Sequence, residues 1–349
     1  MSRRPRLLVA GVLLLVLGMA ACSDSDDPQA APPEESSSPE PAEPAVCPVT
    51  GEAIPKGIKV TRPAVAIKIE NSPEARPQSG LEKADLVYEE LVEGGITRFM
   101  AIFHCGESSK VGPIRSARFD DPQLALPFTR VLGFSGANSI VERELKKNKL
   151  VALDEENGGQ AFFRDPLGST DVHSLFSNTE KVRARAPKKL EAPEQIFEFG
   201  DLAGKSKKAR SVTLTFGSAN TIEYRWVRGA WRRFEAGAPF TVTSGKQIAV
   251  PNLVVQQVKV SPDPHITDVA GNPSPDISLE GKGTALLFRD GKVVKGKWSM
   301  KGKSAMKGKS AIPHFTVAGG EEMTFEPGPI WIELVPSKKG AIKGSITIK

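Results

Sequence analysis

Apolar residues along this chain form one continuous run near the start and many short runs broken by polar side chains. The continuous run covers 7–19; the later ones mostly alternate apolar and polar positions, the period of half-buried strands. Residues 64–69 (AVAIKI) read as a strand, and 71–80, which carries two prolines, as a loop. Segments 86–93 and 96–103 read as paired strands about Gly94-Gly95, a dipeptide suited to the positive φ angles of a two-residue hairpin turn. Another strand follows at 130–135, and Ser139 with Glu142 forms a capping box that opens a helix reaching about Asn148.

Beyond a basic, proline-bearing stretch at 186–210, helical patterns are few. Strand patterns occur at 212–216, 222–227, 248–260, 285–289, 293–298, 323–326 and 330–335, with Asp290-Gly291 as a second hairpin signal. The pattern predicts an α+β chain: a mixed α/β N-terminal domain at 47–187, a linker at 188–210 and a mostly β C-terminal domain at 211–349. The six letters MKGKSA starting at Met300 repeat from Met306, which reads as a duplicated basic surface loop.

With Gly94-Gly95 as a two-residue turn, Glu93 opposes Ile96, Leu91 opposes Arg98 and Glu89 opposes Met100. Glu89, Glu93 and Arg98 then share one face, with Arg98 diagonal to both carboxylates. An arginine on a half-buried sheet is costly without partners, so an ion cluster is expected there. The other face carries Tyr88, Val92, Phe99, Ala101 and Phe103, and Glu90 interrupts it without an evident reason.

The leading apolar run follows Arg3, Arg4 and Arg6 and ends at Ala20-Ala21-Cys22. These are the parts of a secretory signal, and the run is short of the roughly 20 residues a spanning helix needs. A cysteine directly after two small residues is the arrangement that lipoprotein processing reads. The expectation is a signal peptide at 1–21 and fatty acylation of Cys22 (diacylglycerol, palmitate). Residues 22–46 are rich in Pro, Ser, Ala, Asp and Glu and hold no aromatic residue, so they should form a disordered acidic tether. The expected location is the cell membrane, lipid-anchored on the extracytoplasmic side.

Charge sharpens this picture. Of the net +6, the leader contributes +3 and the tether −7, which leaves +10 on the body. Such a body suits an anionic membrane or wall polymer, or simply carries solvated surface lysines. Export, and the lack of aromatics among the lysine-rich segments, argue against nucleic acid. Besides Cys22 there remain Cys47 and Cys105, either a disulfide in an oxidising compartment or two separate thiols.

Candidate chemistry gathers in the first domain. P-loop, HExxH, GxSxG, CxxC and dinucleotide-binding glycine signatures are absent, and no cofactor or metal is expected. Arg115 and Arg118, in a turn-like stretch, present planar forks that either ligate a carboxylate or phosphate or pair with Glu89, Glu93 or Asp120. His173, which follows Phe163-Arg164 and lies within a polar loop, is either a general acid or base or a structural hydrogen-bonding residue. His104 and Cys105 are neighbours on a strand and face opposite ways, which argues against a working pair.

The stretch RPAVAIKIENSPEARPQSGLEKADLVYEELVEGGITRFMAIF, from Arg62 to Phe103, followed by KVGPIRSAR, resembles the YerB-like lipoprotein family. Weaker matches at PNLVVQQ, LLFRDGKVVKGKW and PGPIWIELVP extend the resemblance toward the C-terminus. Where that family usually has Ala-Pro-His-Asn, this chain has Asp171-Val172-His173-Ser174. The resemblance implies a two-domain envelope lipoprotein and carries no reaction with it.

Two functions follow as expectations. One is binding of an anionic envelope ligand or protein partner through Arg98, Arg115, Arg118, Arg164, Glu70 and Asn71. The other is an envelope hydrolase or transferase that uses Glu89, Glu93 and His173, with Arg98, Arg115 and Arg118 holding the anionic group.

Overall fold

The computed structural model describes residues 45–349 apart from 219, 269 and 302–310. The expected signal peptide, Cys22, nearly all of the tether and most of the repeated MKGKSA stretch therefore lie outside the described residues. In the first half the elements are β1 (Val65–Glu70), β2 (Leu86–Leu91), β3 (Thr97–Phe103), α1 (Asp121–Ala125), β4 (Val131–Gly133), α2 (Ser139–Lys147), β5 (Val151–Leu153), β6 (Phe162–Arg164), β7 (Leu175–Ser177) and α3 (Thr179–Ala184).

One mixed twelve-stranded sheet runs through both halves of the sequence. From one edge ten of its strands run His314–Val317, Lys292–Met300, Gly281–Arg289, Asn252–Thr267, Ile330–Pro336, β2, β3, β1, β4 and β5, and off this path Pro273–Ser278 pairs with Asn252–Thr267 and Ser206–Lys208 with Lys292–Met300. The halves meet where β2 lies parallel to Ile330–Pro336, with Leu86 opposite Ile330 and Glu89 opposite Glu333. A smaller sheet, built on Ser211–Phe216, Asn220–Val227 and Ala230–Glu235, packs on one face, its Trp231 ring centred 5.3 Å from that of Phe288. Every residue of β1, β2 and β3 is buried, as expected of central strands covered on both faces.

The described chain is mostly β, and its first half mixes strands with short helices without forming a clear α/β unit of its own. Its helices are short, five, nine and six residues in α1, α2 and α3. The first-half strands instead complete a sheet shared with the second half, and a second sheet rather than long helices covers one of its faces. Among the described residues no helix is long and apolar enough to cross a membrane.

Residues 188–210, read as a linker, are joined to the body at several points. Phe197 is buried with its ring centre 5.0 Å from that of Phe325, and Ser206–Lys208 pairs with Lys292–Val294. Cys47 and Cys105 form a disulfide with Cα atoms 6.1 Å apart, tying the start of the body to the end of β3. Closing a loop of 58 residues restricts the unfolded chain and by chain entropy is worth about 4 kcal/mol.

The first hairpin is present with a different register. Glu90, not Leu91, opposes Arg98, and Glu89 opposes Phe99. The reason is the turn: Glu93 joins Gly94 and Gly95 in a three-residue connection, closed by the Val92 N–H donating to the Ile96 carbonyl at 2.9 Å. One added turn residue moves every partner by one and reverses which side chains share a face. Both glycines have positive φ, 70° and 77°, as the pattern required. At the second hairpin, Asp290 and Gly291 take φ of 53° and 65° and Arg289 opposes Lys292, the two-residue turn that was expected. Helix α2 is capped one residue earlier than predicted: Asn138, not Ser139, accepts from the N–H groups of Ile140 and Val141.

Candidate functional site

The charged residues of the first hairpin separate onto the two faces of the large sheet. Side chains alternate along β3, so Arg98 and Phe99 point to opposite sides. On the Arg98 side, the register sets Glu70 of β1, Arg98 of β3 and Glu90 of β2 in one row. One step along, Lys68 opposes Met100 and places its ammonium between Glu90 and Asp121, the latter at 2.8 Å. All three groups are buried, so Lys68 is the counter-charge that Glu90 needs away from water. Burial raises the Glu90 carboxyl against the pull of Lys68.

Outward from this row lies an open cleft of about 670 Å³. Glu70, Glu93, Arg98, Arg115, Arg118 and His173 all line it, so the structure brings six of the predicted residues together. Glu70 pairs with Arg115, lies 3.6 Å from Arg98, and accepts from the N–H groups of Asn71 and Ser72. Arg118 donates to one Glu93 oxygen, from Nε at 2.9 Å, and Ser274 donates to the other. Burial favours the neutral form of Glu93, but Arg118 and these hydrogen bonds outweigh it and hold its carboxyl below the usual range. Asp120 is no partner of either arginine: it accepts from the Ile277 N–H at 3.1 Å, and burial lifts its carboxyl well above the ordinary value.

Arg98 is the innermost of the three arginines. Burial first, then the neighbouring Arg118, brings its guanidinium down to about 10, still charged at neutral pH. Its Nη1 donates to the Ser116 carbonyl at 3.0 Å, while Nε has no partner among the described residues. Nδ1 of His173 is likewise buried and without a partner. The remaining wall comes from elements far away in sequence: Asn138 and Val141 at the start of α2, and Thr267, Asp268 and Ser274 from the arm formed by Asn252–Thr267 and Pro273–Ser278. Among the described residues, no group of three or more His, Cys, Asp or Glu is placed to hold a metal ion.

Three candidates lie elsewhere. Glu89, nominated as catalytic, faces the opposite side of the sheet, where Arg233 grips it with both terminal nitrogens, one at 3.0 Å. Arg233 also reaches Glu235 at 3.0 Å, the Tyr224 hydroxyl at 3.0 Å and Glu333 at 3.5 Å, and is wholly buried. The rings of Phe240, Phe99, Trp331 and Tyr224 surround its Cζ at 4.7, 5.4, 5.6 and 5.7 Å, cation–π distances. Asn71, nominated as a ligand contact, belongs to this buried side, donating to Thr97 at 2.8 Å and to Glu89 at 3.3 Å.

Arg164 lies outside the cleft as well. Two of its nitrogens hold Glu155 at 2.8 and 2.6 Å, and Nη1 donates to the Asp171 carbonyl and the Ser174 hydroxyl. It thereby fixes the turn that carries His173, whose own N–H donates to Asp171 at 2.7 Å. His104 is structural: its Nε2 lies 2.9 and 3.0 Å from two backbone carbonyls, and burial lowers its pKa to about 4.

Sequence reasoning missed Lys68, Glu90, Asp121 and Ser274. For Lys68 a signal existed: in Val65–Glu70 the positions of Lys68 and Glu70 share a face with Ala66, opposite Val65, Ile67 and Ile69. Ser274 had none, because only the folded arm brings it to Glu93.

Residues 49–193 match the family described as "Protein of unknown function (DUF3048) N-terminal domain", and residues 212–332 match its C-terminal domain. The "Putative lipoprotein YerB" of Bacillus subtilis (strain 168) is 31% identical over 309 residues, covering 84% of this chain and 87% of that protein. A crystal structure of the YerB protein from Bacillus subtilis aligns with a TM-score of 0.70 at 28% identity, over 87% of this chain and 99% of the solved one. The two matched segments together span most of the sequence, and the chain belongs to the DUF3048 family of YerB-like proteins, a two-domain family of unknown function.

Proposed function

We propose that this protein is an extracytoplasmic lipoprotein, anchored through Cys22 and an acidic tether, whose cleft binds a small anionic envelope ligand. The anchor reading rests on the leader ending at Ala20-Ala21-Cys22 and on the name of the Bacillus subtilis relative. The observation that carries the ligand reading is the Nε of Arg98, a buried cationic donor without a partner, on a side chain that lines an open cleft beside Arg115 and Arg118. Guanidinium forks favour planar carboxylate or tetrahedral phosphate oxygens, and the volume suits a small ligand. The start of α2 adds the positive end of a helix dipole to the same wall.

The hydrolytic reading loses Glu89, which is committed to Arg233 on the other face. It retains Glu93 and His173, yet Glu93 has both oxygens engaged and is held in its charged form, which suits an anchor for Arg118 better than a general acid.

The test is thermal unfolding of the full chain in neutral detergent with inorganic phosphate, glycerol 3-phosphate or lactate. A rise in melting temperature that disappears in Arg115→Gln supports the reading; no rise with any of the three at millimolar concentration refutes it. For the anchor, an alkyne fatty acid fed to expressing cells should label the parent chain and not Cys22→Ala.

A further inference from the structure

On the second half of the molecule, away from the cleft, lies a groove of about 720 Å³ lined by Lys259, Lys282, Lys297, Lys338 and Lys339 together with Glu280. All five lysines are exposed, and none of their ammonium groups makes an ion pair among the described residues. Among the described lysines only Lys68, Lys110 and Lys147 hold a carboxylate, so what sets these five apart is their gathering around one concavity. Five unpaired like charges around one concavity repel each other, a cost that surface placement alone would avoid by spreading them.

Strand geometry sets the lysines in place. Lys282 opposes Ser299 and Lys297 opposes Thr284, so the two are diagonal neighbours on one face of a hairpin. Lys259 opposes Ser278 on the adjoining strand pair, and the Ser337 N–H donates to the Val258 carbonyl at 2.6 Å, which brings Lys338 and Lys339 alongside Lys259. The floor is firm: the Trp298 indole N–H donates to the Gln257 carbonyl at 2.8 Å, packed against Gly283, where any Cβ would collide with the ring.

We propose that this groove binds a linear polyanion of the phosphodiester type, following its backbone by charge without reading its units. Lysine ammonium groups act as point charges and suit repeating phosphates, whereas the planar forks of the cleft suit a single anion. A concave groove fits a chain more closely than it fits a flat bilayer surface. The proposal does not depend on the cleft or its ligand.

The test is fluorescence anisotropy of labelled poly(glycerol phosphate) with the full chain in neutral detergent micelles. Affinity should fall more than about tenfold between roughly 50 and roughly 200 mM salt, as counterion release requires. K259Q/K282Q/K297Q should weaken binding at least about tenfold with an unchanged melting temperature, because all three side chains are exposed. K56Q/K59Q/K188Q, which removes the same charge from exposed lysines elsewhere, and Arg115→Gln in the cleft should both leave it nearly unchanged. Equal losses in the two triple variants would reduce the groove to bulk charge and overturn the proposal, as would no binding at low salt. Preferential capture of phosphatidylglycerol vesicles, abolished in the groove variant, would assign the lysines to a membrane surface instead.

Discussion

Arg98, on β3 of the large sheet, and Arg233, on Ala230–Glu235 of the smaller one, are both buried guanidinium groups among glutamates, and they lie on opposite faces of the large sheet. Around Arg233, three glutamates, a tyrosine hydroxyl and four aromatic rings fill the surroundings, and the group is inaccessible. Two of its partners come from distant parts of the chain, Glu89 from β2 and Glu333 from the strand beside it, and two, Tyr224 and Glu235, from its own smaller sheet. It thus joins the two sheets through charge. Around Arg98, glutamates again meet a guanidinium but line an open space, with one nitrogen unpaired among the described residues and two further arginines at the rim. Charged residues in a protein interior serve cohesion when they are enclosed and recognition when they border a void; the Phe, Tyr and Trp rings around Arg233 and their absence from the described cleft lining go with that difference.

The strongest way to break this contrast is to remove each arginine's charge while keeping its bulk. Arg233→Met leaves three buried carboxylates without their common counter-charge and should cost about 3–5 kcal/mol in urea unfolding. Arg98→Met should cost less than half of that, since Glu70 keeps Arg115 and two backbone N–H groups and Glu90 keeps Lys68. Equal losses would mean that the cleft arginine is as structural as the enclosed one.

A second contrast lies in pH. Glu93 in the cleft titrates below its ordinary value, because Arg118 and its hydrogen bonds outweigh the effect of burial. Its contribution is therefore present above pH about 4.5 and is lost as pH falls through the folded-state value. Glu333 in the enclosed group is raised well above its ordinary value, by burial first and by Glu89 next. Its contribution is present at low pH and is lost as pH rises toward the folded-state value. Glu93→Gln should lower stability by about 1 kcal/mol near pH 7 and converge with the parent near pH 3. Glu333→Gln, where a neutral amide replaces a neutral acid, should match the parent in acid and exceed it progressively toward pH 8. Urea midpoints across that range check both, and parallel curves for either variant would contradict its assignment.

Much of this arrangement was legible in the sequence, and the missing parts have physical causes. Short apolar runs and the Gly94-Gly95 pair marked β1, β2 and β3, strand patterns marked most strands of the second half, and Asp290-Gly291 specified its turn. The first hairpin was legible in existence and not in register, because whether Glu93 belongs to the strand or to the turn depends on what packs beside it. Glu90 looked like an error in an apolar face for the same reason: Lys68 and Asp121, which compensate it, approach from other elements. The strand Ala230–Glu235 escaped notice because its inward positions are Trp231, Arg233 and Glu235, and two buried charges erase the hydrophobic alternation. No local pattern could pair Arg233 with Glu89, 144 residues earlier. The cleft was visible as a set of arginines and glutamates, but its depth and the arm that carries Ser274 and Asp268 are products of the folded topology.

The finest test concerns Arg115, whose loss should hardly affect the fold. Its side chain is 30% exposed, and its ion pair with Glu70 is therefore screened on one side by water. Arg115→Gln should cost no more than about 1 kcal/mol, because Asn71, Ser72 and Arg98 still serve Glu70. Arg115→Lys separates two ways of holding an anion. If the ligand is gripped by a planar fork, lysine restores the charge but not the affinity, and the melting shift with phosphate stays small. If the cleft acts only as a positive field, lysine restores the shift almost fully. The first result would place the cleft on the side of specific recognition and widen its contrast with the enclosed arginine. The second would narrow the difference to one of access.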